Sequence, residues 1–356
     1  MKEYIAFDSH KHYTLAEREP VGIRRTANAR SPSGDPGGRA VQERIEHERG
    51  AIRKWLSACP AGSTVAVEAV GNWYWIADEI EQAGMKVALV HPRKAKLMMG
   101  MINKTDKLDV HGLNRLQRNG TLPTVWVPPA ALRDLRELTR CRVMLTRQRT
   151  CLKNRVHAIL EKHLAAPRGV SDVFGRGGRQ ALEASIKDLP PQTGWVLQMH
   201  LEHLDFLEAQ IHAQEQRLKA LVKVTGPMRR LMSLPGVAVI LSGTIALEVG
   251  EVGRFADAEH LAAYAGTTPR VHSSGGKARY GRTRPDVNRY LKWAFAEAAN
   301  SVVVNHRRRP DKHVSRLYVR LRARRGHACA VGAVARRLAE ASWEVLSRDE
   351  DYREPR

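Results

Sequence analysis

Along the first quarter of the chain, apolar residues alternate with polar ones in short runs separated by stretches with helical spacing. Tyr4-Ile-Ala-Phe-Asp8 reads as a short buried strand ending on a carboxylate, and Tyr13–Ala16 as a candidate second strand. Residues 18–40, rich in Arg, Pro, Gly and Ser, have little periodicity and read as an irregular segment. From Ala40 to Leu56 the stripe Val41, Ile45, Ile52 and Leu56 predicts a helix. Thr64–Glu68 is a clear strand that again ends on an acid. A helix starting at Gly71-Asn72 follows, its Trp73, Trp75, Ile76 and Ile80 suited to packing against a sheet. Lys86–Val90 is a third strand, 92–102 a short helix leading to a helix at Asp106, and Thr124–Val127 a further strand. Strands alternating with helices predict an α/β layer.

Beyond residue 130 the pattern is almost wholly helical. Residues 130–164 carry an apolar side (Leu132, Leu135, Leu138, Leu145, Leu152, Val156, Ile159) and a basic one, suited to solvent or to phosphate. After a Gly-rich break at 175–178, a helix over about 193–223 places Leu197, Leu204, Ile211 and Leu218 seven residues apart, as in a coiled coil or helical hairpin, with an oligomer interface favoured. Leu234-Pro-Gly followed by an apolar helix resembles a helix-hairpin-helix element, whose turn amides can hold a phosphate. A compact helix over 255–266 and another from Asp286 to Ala299 flank a Ser-, Gly-, Lys- and Arg-rich stretch that reads as a flexible phosphate-binding loop.

Charge changes the picture. Lys and Arg number 59 against 37 acids, a formal net charge of +22 that calls for an anionic partner, with nucleic acid the first candidate. No stretch approaches a membrane span, and no basic amphipathic helix with an aromatic face favours a membrane surface. The opening MKEYIAFDSH lacks an apolar signal core, and the four scattered cysteines form no CxxC pair, so a reduced cytoplasmic protein is expected.

The chemistry concentrates in two places. In Asn103-Lys-Thr-Asp-Lys-Leu-Asp-Val110, Asp106 and Asp109 sit at i and i+3 on one helical face, where both can address one cation. Taken alone, the pair also suits a solvated first turn complementing the helix dipole. Asp8 and Glu68, each at a strand end, complete an ordered set of four acids. Carboxylate ligands suit Mg²⁺, or Mn²⁺ in its place, rather than zinc. In Val271-His-Ser-Ser-Gly-Gly-Lys277, Ser273 and Ser274 lie among Arg270, Lys277, Arg279 and Arg282, either as passive members of a phosphate loop or as nucleophiles with charge-stabilised attack. Between Ser301 and Arg325 there are nine Lys or Arg and one acid, and Arg316, Arg320 and Arg324 form an i, i+4, i+8 ridge. Such like charges repel unless something neutralises them, which favours a phosphate-tracking helix.

FDSHKHYT, VAVEAVGNWYW, NKTDKLDV, LPGVAVILSG, LAAYAGTTPR and SSGGKARYGR follow in that order over nearly the whole chain. Together they resemble transposases of the insertion sequence 110 family, bridge-RNA-guided serine recombinases. The resemblance implies a RuvC-like (ribonuclease-H-like) domain over 1–165, a helical coiled-coil linker over 166–225 and a mostly helical C-terminal transposase domain over 226–356. It implies Mg²⁺ held by Asp8, Glu68, Asp106 and Asp109, with Ser274 as nucleophile and Ser273 as its neighbouring alternative. It also implies donor and target DNA and a non-coding bridge RNA as partners, and a dimer to tetramer in which the serine domain of one protomer meets the acidic site of another. Such a bacterial protein would be nucleoid-associated when bound. Residues 18–40 depart from the family's early hairpin. Two other readings share the same charge: a metal-dependent Holliday-junction-type endonuclease without a covalent intermediate, and a non-enzymatic basic nucleic-acid-binding protein.

Overall fold

A computed structural model describes residues 3–20, 40–100, 105–222 and 225–355. The chain divides into two compact units, Met1–Ala130 and Ala131–Arg356.

The first unit is built on a five-stranded sheet of order β3-β2-β1-β4-β5, formed by β1 (Glu3–Ser9), β2 (Tyr13–Pro20), β3 (Val41–Glu46), β4 (Thr64–Glu68) and β5 (Lys86–Val90). β1, β2 and β3 pair antiparallel, while β1, β4 and β5 run parallel. Parallel pairing needs crossovers, which α1 (Ala51–Leu56) and α2 (Trp73–Gln82) supply. Strand residues alternate between the two faces. Ile5, Phe7, Val65 and Val67 pack with Ile52, Leu56, Ile76 and Ile80 of α1 and α2. Ala6 and Ala66 pack on the other side with Ala95 and Met99 of α3 (Pro92–Met99) and with Val110, Leu113 and Leu116 of α4 (Asp106–Arg118). The small alanines on that face let α4 lie close over β1, with consequences for the acids.

Three expectations need correction. Val41–Glu46 is an edge strand, not the start of a helix, and only Ala51–Leu56 is helical. The second strand runs from Tyr13 to Pro20, beyond Ala16. Thr124–Val127 forms no strand and makes a single bridge between Thr124 and Val90. Residues 21–39 of the irregular segment, the 101–102 end of the expected short helix, and Asn103 and Lys104 lie outside the described residues.

Among its described residues the second unit is helical apart from one hairpin. Its elements are α5 (Ala130–Lys162), α6 (Arg176–Ser185), α7 (Pro191–Val222), α8 (Gly226–Leu231), α9 (Val239–Val249), α10 (Ala258–Tyr264), β6 (Pro269–Ser274), β7 (Lys277–Thr283), α11 (Arg289–Asn305) and α12 (His313–Arg348). The heptad residues Leu197, Leu204, Ile211 and Leu218 are buried within the chain itself. Leu197 packs with Val156, Ile159 and Leu160 of α5 and Leu182 of α6, while Arg142–Glu215 and Lys153–Glu208 bridge α5 to α7. The seven-residue repeat therefore serves an intramolecular helical pairing. α6, unforeseen in the sequence, begins inside the Gly-rich break. A larger core joins Leu231, Ile245 and Leu261 to Phe295 of α11 and to Tyr318 and Leu338 of α12, which kinks at Gly326. At the α8–α9 turn Gly236 has a φ of 76°, and a Cβ there would lie 2.4 Å from the Ala298 carbonyl oxygen, so glycine is required by packing against α11.

Candidate functional site

The acidic site follows from strand alternation. Asp8 shares the face of Ala6, and Glu68 that of Ala66, so both lie on the side covered by α3 and α4. Each stands one residue beyond the parallel Phe7–Val67 pair, at the carboxyl edge of adjacent strands, the edge where open α/β sheets bind ligands. α4 delivers its acids to the same edge. Thr105, not Asp106, caps this helix, its Oγ1 accepting from the Leu108 amide at 3.3 Å. Asp106 and Asp109 are thus free of capping duty.

The structure brings Asp8 and Asp106 together around His10, a residue the sequence did not mark as a site. His10 Nε2 lies 3.2 Å from Asp8 Oδ2 and 3.3 Å from Asp106 Oδ2. One ligand atom from each of these three side chains lies within 4.8 Å of the others. Tyr13 donates its hydroxyl to Asp106 Oδ2 at 3.0 Å and stacks at a tilt on the His10 ring, and Asn72 Nδ2 donates to the His10 carbonyl at 2.8 Å. Burial pushes the Asp8 carboxyl above its ordinary range; His10 opposes the shift, and the charges of Asp106 and Asp109 add to it. The hydrogen bond to Asp106 likewise raises the Tyr13 phenol. Carboxylate oxygens and an imidazole nitrogen gathered at one sheet edge fit a divalent cation. Glu68, at the neighbouring strand end, and Asp109, one turn along α4, lie outside this three-residue cluster.

A buried clamp holds α4 in place. Glu17 pairs across the sheet with Ala6 and so faces α4. Fully buried, it accepts from Asn114 Nδ2 at 3.0 Å and Gln42 Nε2 at 2.6 Å and lies 3.2 Å from His111 Nδ1. Two residues on, Glu19 takes Arg118 Nη1 at 2.7 Å. The signal for this clamp is the continued alternation of Leu15, Glu17 and Glu19, which places two acids on an inward face.

In the second unit the serines lie on a β-hairpin, not a flexible loop. Ser274 pairs with Lys277, Ser273 with Ala278, His272 with Arg279 and Val271 with Tyr280. Gly275 and Gly276 form the two-residue turn with φ of 56° and 74°, a double left-handed geometry that glycine adopts without strain. Alternation puts Ser274 on one face with Lys277, His272 and Arg279. Ser273 shares the other with the exposed Val271 and Tyr280. Arg270, Lys277 and Arg279 are exposed, and the Arg282 side chain lies outside the described residues. Elsewhere in this unit, fully buried Glu248 takes Arg140 in a bidentate pair at 2.7 and 3.1 Å and accepts from Asn288 Nδ2 at 2.8 Å. Asn288 Oδ1 in turn caps α11 directly after β7. Several cations of α5 are thereby engaged internally: Arg136 is buried against the Leu247 and Glu248 carbonyls, and Arg142 pairs with Glu215. Arg316, Arg320 and Arg324 are exposed along α12. Among the described residues no helix is long and apolar enough to cross a membrane.

A sheet with acids at its carboxyl edge, followed by a basic helical unit, suits a protein that acts on nucleic acid, and comparison with known proteins narrows the class. Residues 34–164 match a family model described as a DEDD transposase of the IS110 type, and residues 228–315 match the transposase IS116/IS110/IS902 family. A "Probable family 20 transposase" of Pseudomonas aeruginosa is 29% identical over 319 residues, covering 87% of this chain and 91% of the relative. The transposase for insertion sequence element IS1111A of Coxiella burnetii is 28% identical over 81% of this chain and 79% of its own length. The transposase for insertion sequence element IS1328 of Yersinia enterocolitica is 25% identical over 83% and 87%. The chain belongs to the IS116/IS110/IS902 family of transposases and is a DNA transposase.

Proposed function

We propose that this transposase cuts and rejoins DNA through Ser274, assisted by a cation site built from Asp8, Glu68, Asp106 and Asp109, under the guidance of a non-coding bridge RNA. The observation that carries the reading is the pairing of two constructions in one chain: acids gathered at a sheet edge, and a serine presented beside lysine and arginine at the tip of a hairpin. The β3-β2-β1-β4-β5 order supports a ribonuclease-H-like, RuvC-type first domain. The hairpin register favours Ser274 over Ser273, because only Ser274 shares its face with Lys277 and Arg279.

On this reading Ser274 Oγ attacks a DNA phosphorus. The new O–P bond replaces the P–O3′ bond, leaving a 5′-phosphoserine link and a free 3′-hydroxyl that later reverses the exchange. Lys277 and Arg279, with Arg270 and Arg282, neutralise the phosphate as charge builds on its oxygens. A bound Mg²⁺ or Mn²⁺ supplies charge stabilisation and activation of the attacking and leaving oxygens. Asp8 and Asp106 would hold it, with Glu68 and Asp109 as the further acids of the set. Arg316, Arg320 and Arg324 track phosphates along α12. The division into a RuvC-like domain (1–165), linker (166–225) and serine domain (226–356) belongs to this proposal, as do the helix-hairpin-helix role of α8–α9 and a cytoplasmic, nucleoid-bound location.

A homo-oligomer, from dimer to tetramer, is supported by the outer side of α7. There Trp195, Met199 and Phe206 fall on one stripe and are 64%, 46% and 59% exposed, an apolar surface that the intramolecular pairing leaves uncovered.

The test is cleavage of an element-end DNA by purified protein with its co-purified RNA, resolved under denaturing conditions. Wild type is expected to give a metal-dependent, detergent-stable protein–DNA species. Asp106→Asn and Ser274→Ala lose it, and Ser273→Ala keeps it. Cleavage that survives Ser274→Ala would favour a metal-only endonuclease of the Holliday-junction type. Binding without cleavage under any divalent cation would favour a nucleic-acid-binding role.

A further inference from the structure

We propose that His10 is itself a ligand of the cation held by Asp8 and Asp106, making this a mixed nitrogen–oxygen site that prefers Mn²⁺ to Mg²⁺. The inference rests on the acidic site proposed above and adds a residue that the four-acid set does not contain.

Three observations carry it. First, His10 Nε2 sits between the two carboxylates, 3.2 Å from one oxygen and 3.3 Å from the other. Second, that nitrogen is sealed from solvent yet forms no well-aligned hydrogen bond, although two strong acceptors lie beside it. Near-equal distances to both carboxylates place this nitrogen where it can share an ion with them. Third, the ring is held from behind. Tyr13 stacks on it with centroids 4.6 Å apart, and Asn72 fixes its backbone carbonyl. Tyr13 also donates to the same Asp106 oxygen that approaches the imidazole, at 3.0 Å. Ligand orientation by such outer partners is the usual construction around a metal-binding histidine.

The consequence is selectivity. Mg²⁺ takes oxygen ligands and holds its waters, whereas imidazole nitrogen suits transition metals, and Mn²⁺ accepts both donor types. A site of carboxylates alone would discriminate little between the two ions. Adding His10 favours Mn²⁺ by the strength of one nitrogen bond.

Electron spin-echo spectroscopy of Mn²⁺ bound to the full-length protein reads this directly. Wild type is expected to show nitrogen modulation that changes frequency when the protein is made with ¹⁵N-histidine. His10→Gln, with the other histidines intact, is expected to lose the modulation. Titration calorimetry should show its Mn²⁺ affinity falling at least about tenfold, the lower end of what losing even an outer partner of a ligand costs, with Mg²⁺ affinity changed much less. The ¹⁵N experiment uses unmutated protein, so it stands even if the variant folds poorly. Bound Mn²⁺ that shows no histidine nitrogen, or keeps it in His10→Gln, would overturn the proposal while leaving the acidic site intact. Mn²⁺ binding unaffected by Asp8→Asn and Asp106→Asn would overturn both.

Discussion

At the level of single residues, the first unit spends two buried carboxylates on holding one helix. Burial pushes the Glu17 carboxyl up, but the hydrogen bonds from His111, Gln42 and Asn114 outweigh it and hold the group below its ordinary 4.5. A carboxylate shifted down stabilises the fold above its ordinary value and loses that contribution as pH falls through the lowered one. The thermal midpoint of wild type should therefore drop on acidification below about 4.5 more steeply than that of Glu17→Gln. Glu17→Ala, which strands three donors, should cost about 3 kcal/mol in denaturant melts. Asp8 has the opposite sign. Its raised carboxyl is penalised once ionised, so Asp8→Asn should melt at least as high as wild type at neutral pH without divalent cation, while losing Mn²⁺ binding; a markedly lower midpoint would contradict this account of the site. The sequence exposed Asp8 and Asp106 because acids at strand ends and on a first helical turn are local signals. It hid the role of His10, since a histidine in a turn acquires its meaning only when α4 arrives from about a hundred residues downstream.

At the level of elements, the edge strand was obscured by spacing. Val41 and Ile45 are four apart, a separation that suits a strand face as well as a helix face. The edge strand, with Ile45 its one buried residue, offered no further apolar position to decide between them. The hairpin was hidden differently. Its Gly-Gly turn is a hairpin signal, but the flanking strands are polar and exposed, so no hydrophobic alternation announced them. The turn makes a firm prediction. Gly276→Val forces a β-branched residue into left-handed backbone at a cost of roughly 1–2 kcal/mol, which should disorder the register opposite Ser274 and depress strand transfer, whereas Gly275→Asn, well suited to that turn, should be tolerated. A strand-transfer assay in which both variants matched wild type would remove the need for a fixed hairpin. In α7 the seven-residue repeat was legible, but its partner was not, because intramolecular pairing and self-association ask for the same pattern. Leu204→Ala should cost about 2–5 kcal/mol as a buried truncation, and Phe206→Ser on the opposite stripe should leave stability within about 0.5 kcal/mol while weakening self-association in sedimentation.

Across the whole molecule, the excess of 22 positive charges identified the class of partner without saying where it binds. The structure sorts those charges: Arg136, Arg140 and Arg142 are spent on internal acceptors, while Arg316, Arg320 and Arg324 remain exposed. Replacing the latter three with alanine should flatten the salt dependence of nucleic-acid binding by about one unit of slope for each phosphate no longer neutralised. An unchanged slope would place the interface elsewhere. The α/β-then-helical order was legible because each element carries its own period, whereas the meeting of residues distant in sequence depends on packing. The central claim is that this transposase joins itself to DNA through one serine, with the acids in support. Mass spectrometry of nuclease- and protease-digested protein, recovered from cells carrying the gene with its flanking DNA, tests it most directly. A nucleotide-modified peptide bearing its adduct on Ser274, absent from both Ser274→Ala and Asp106→Asn, is expected. DNA cleavage in those cells with no serine adduct, persisting in Ser274→Ala, would contradict it.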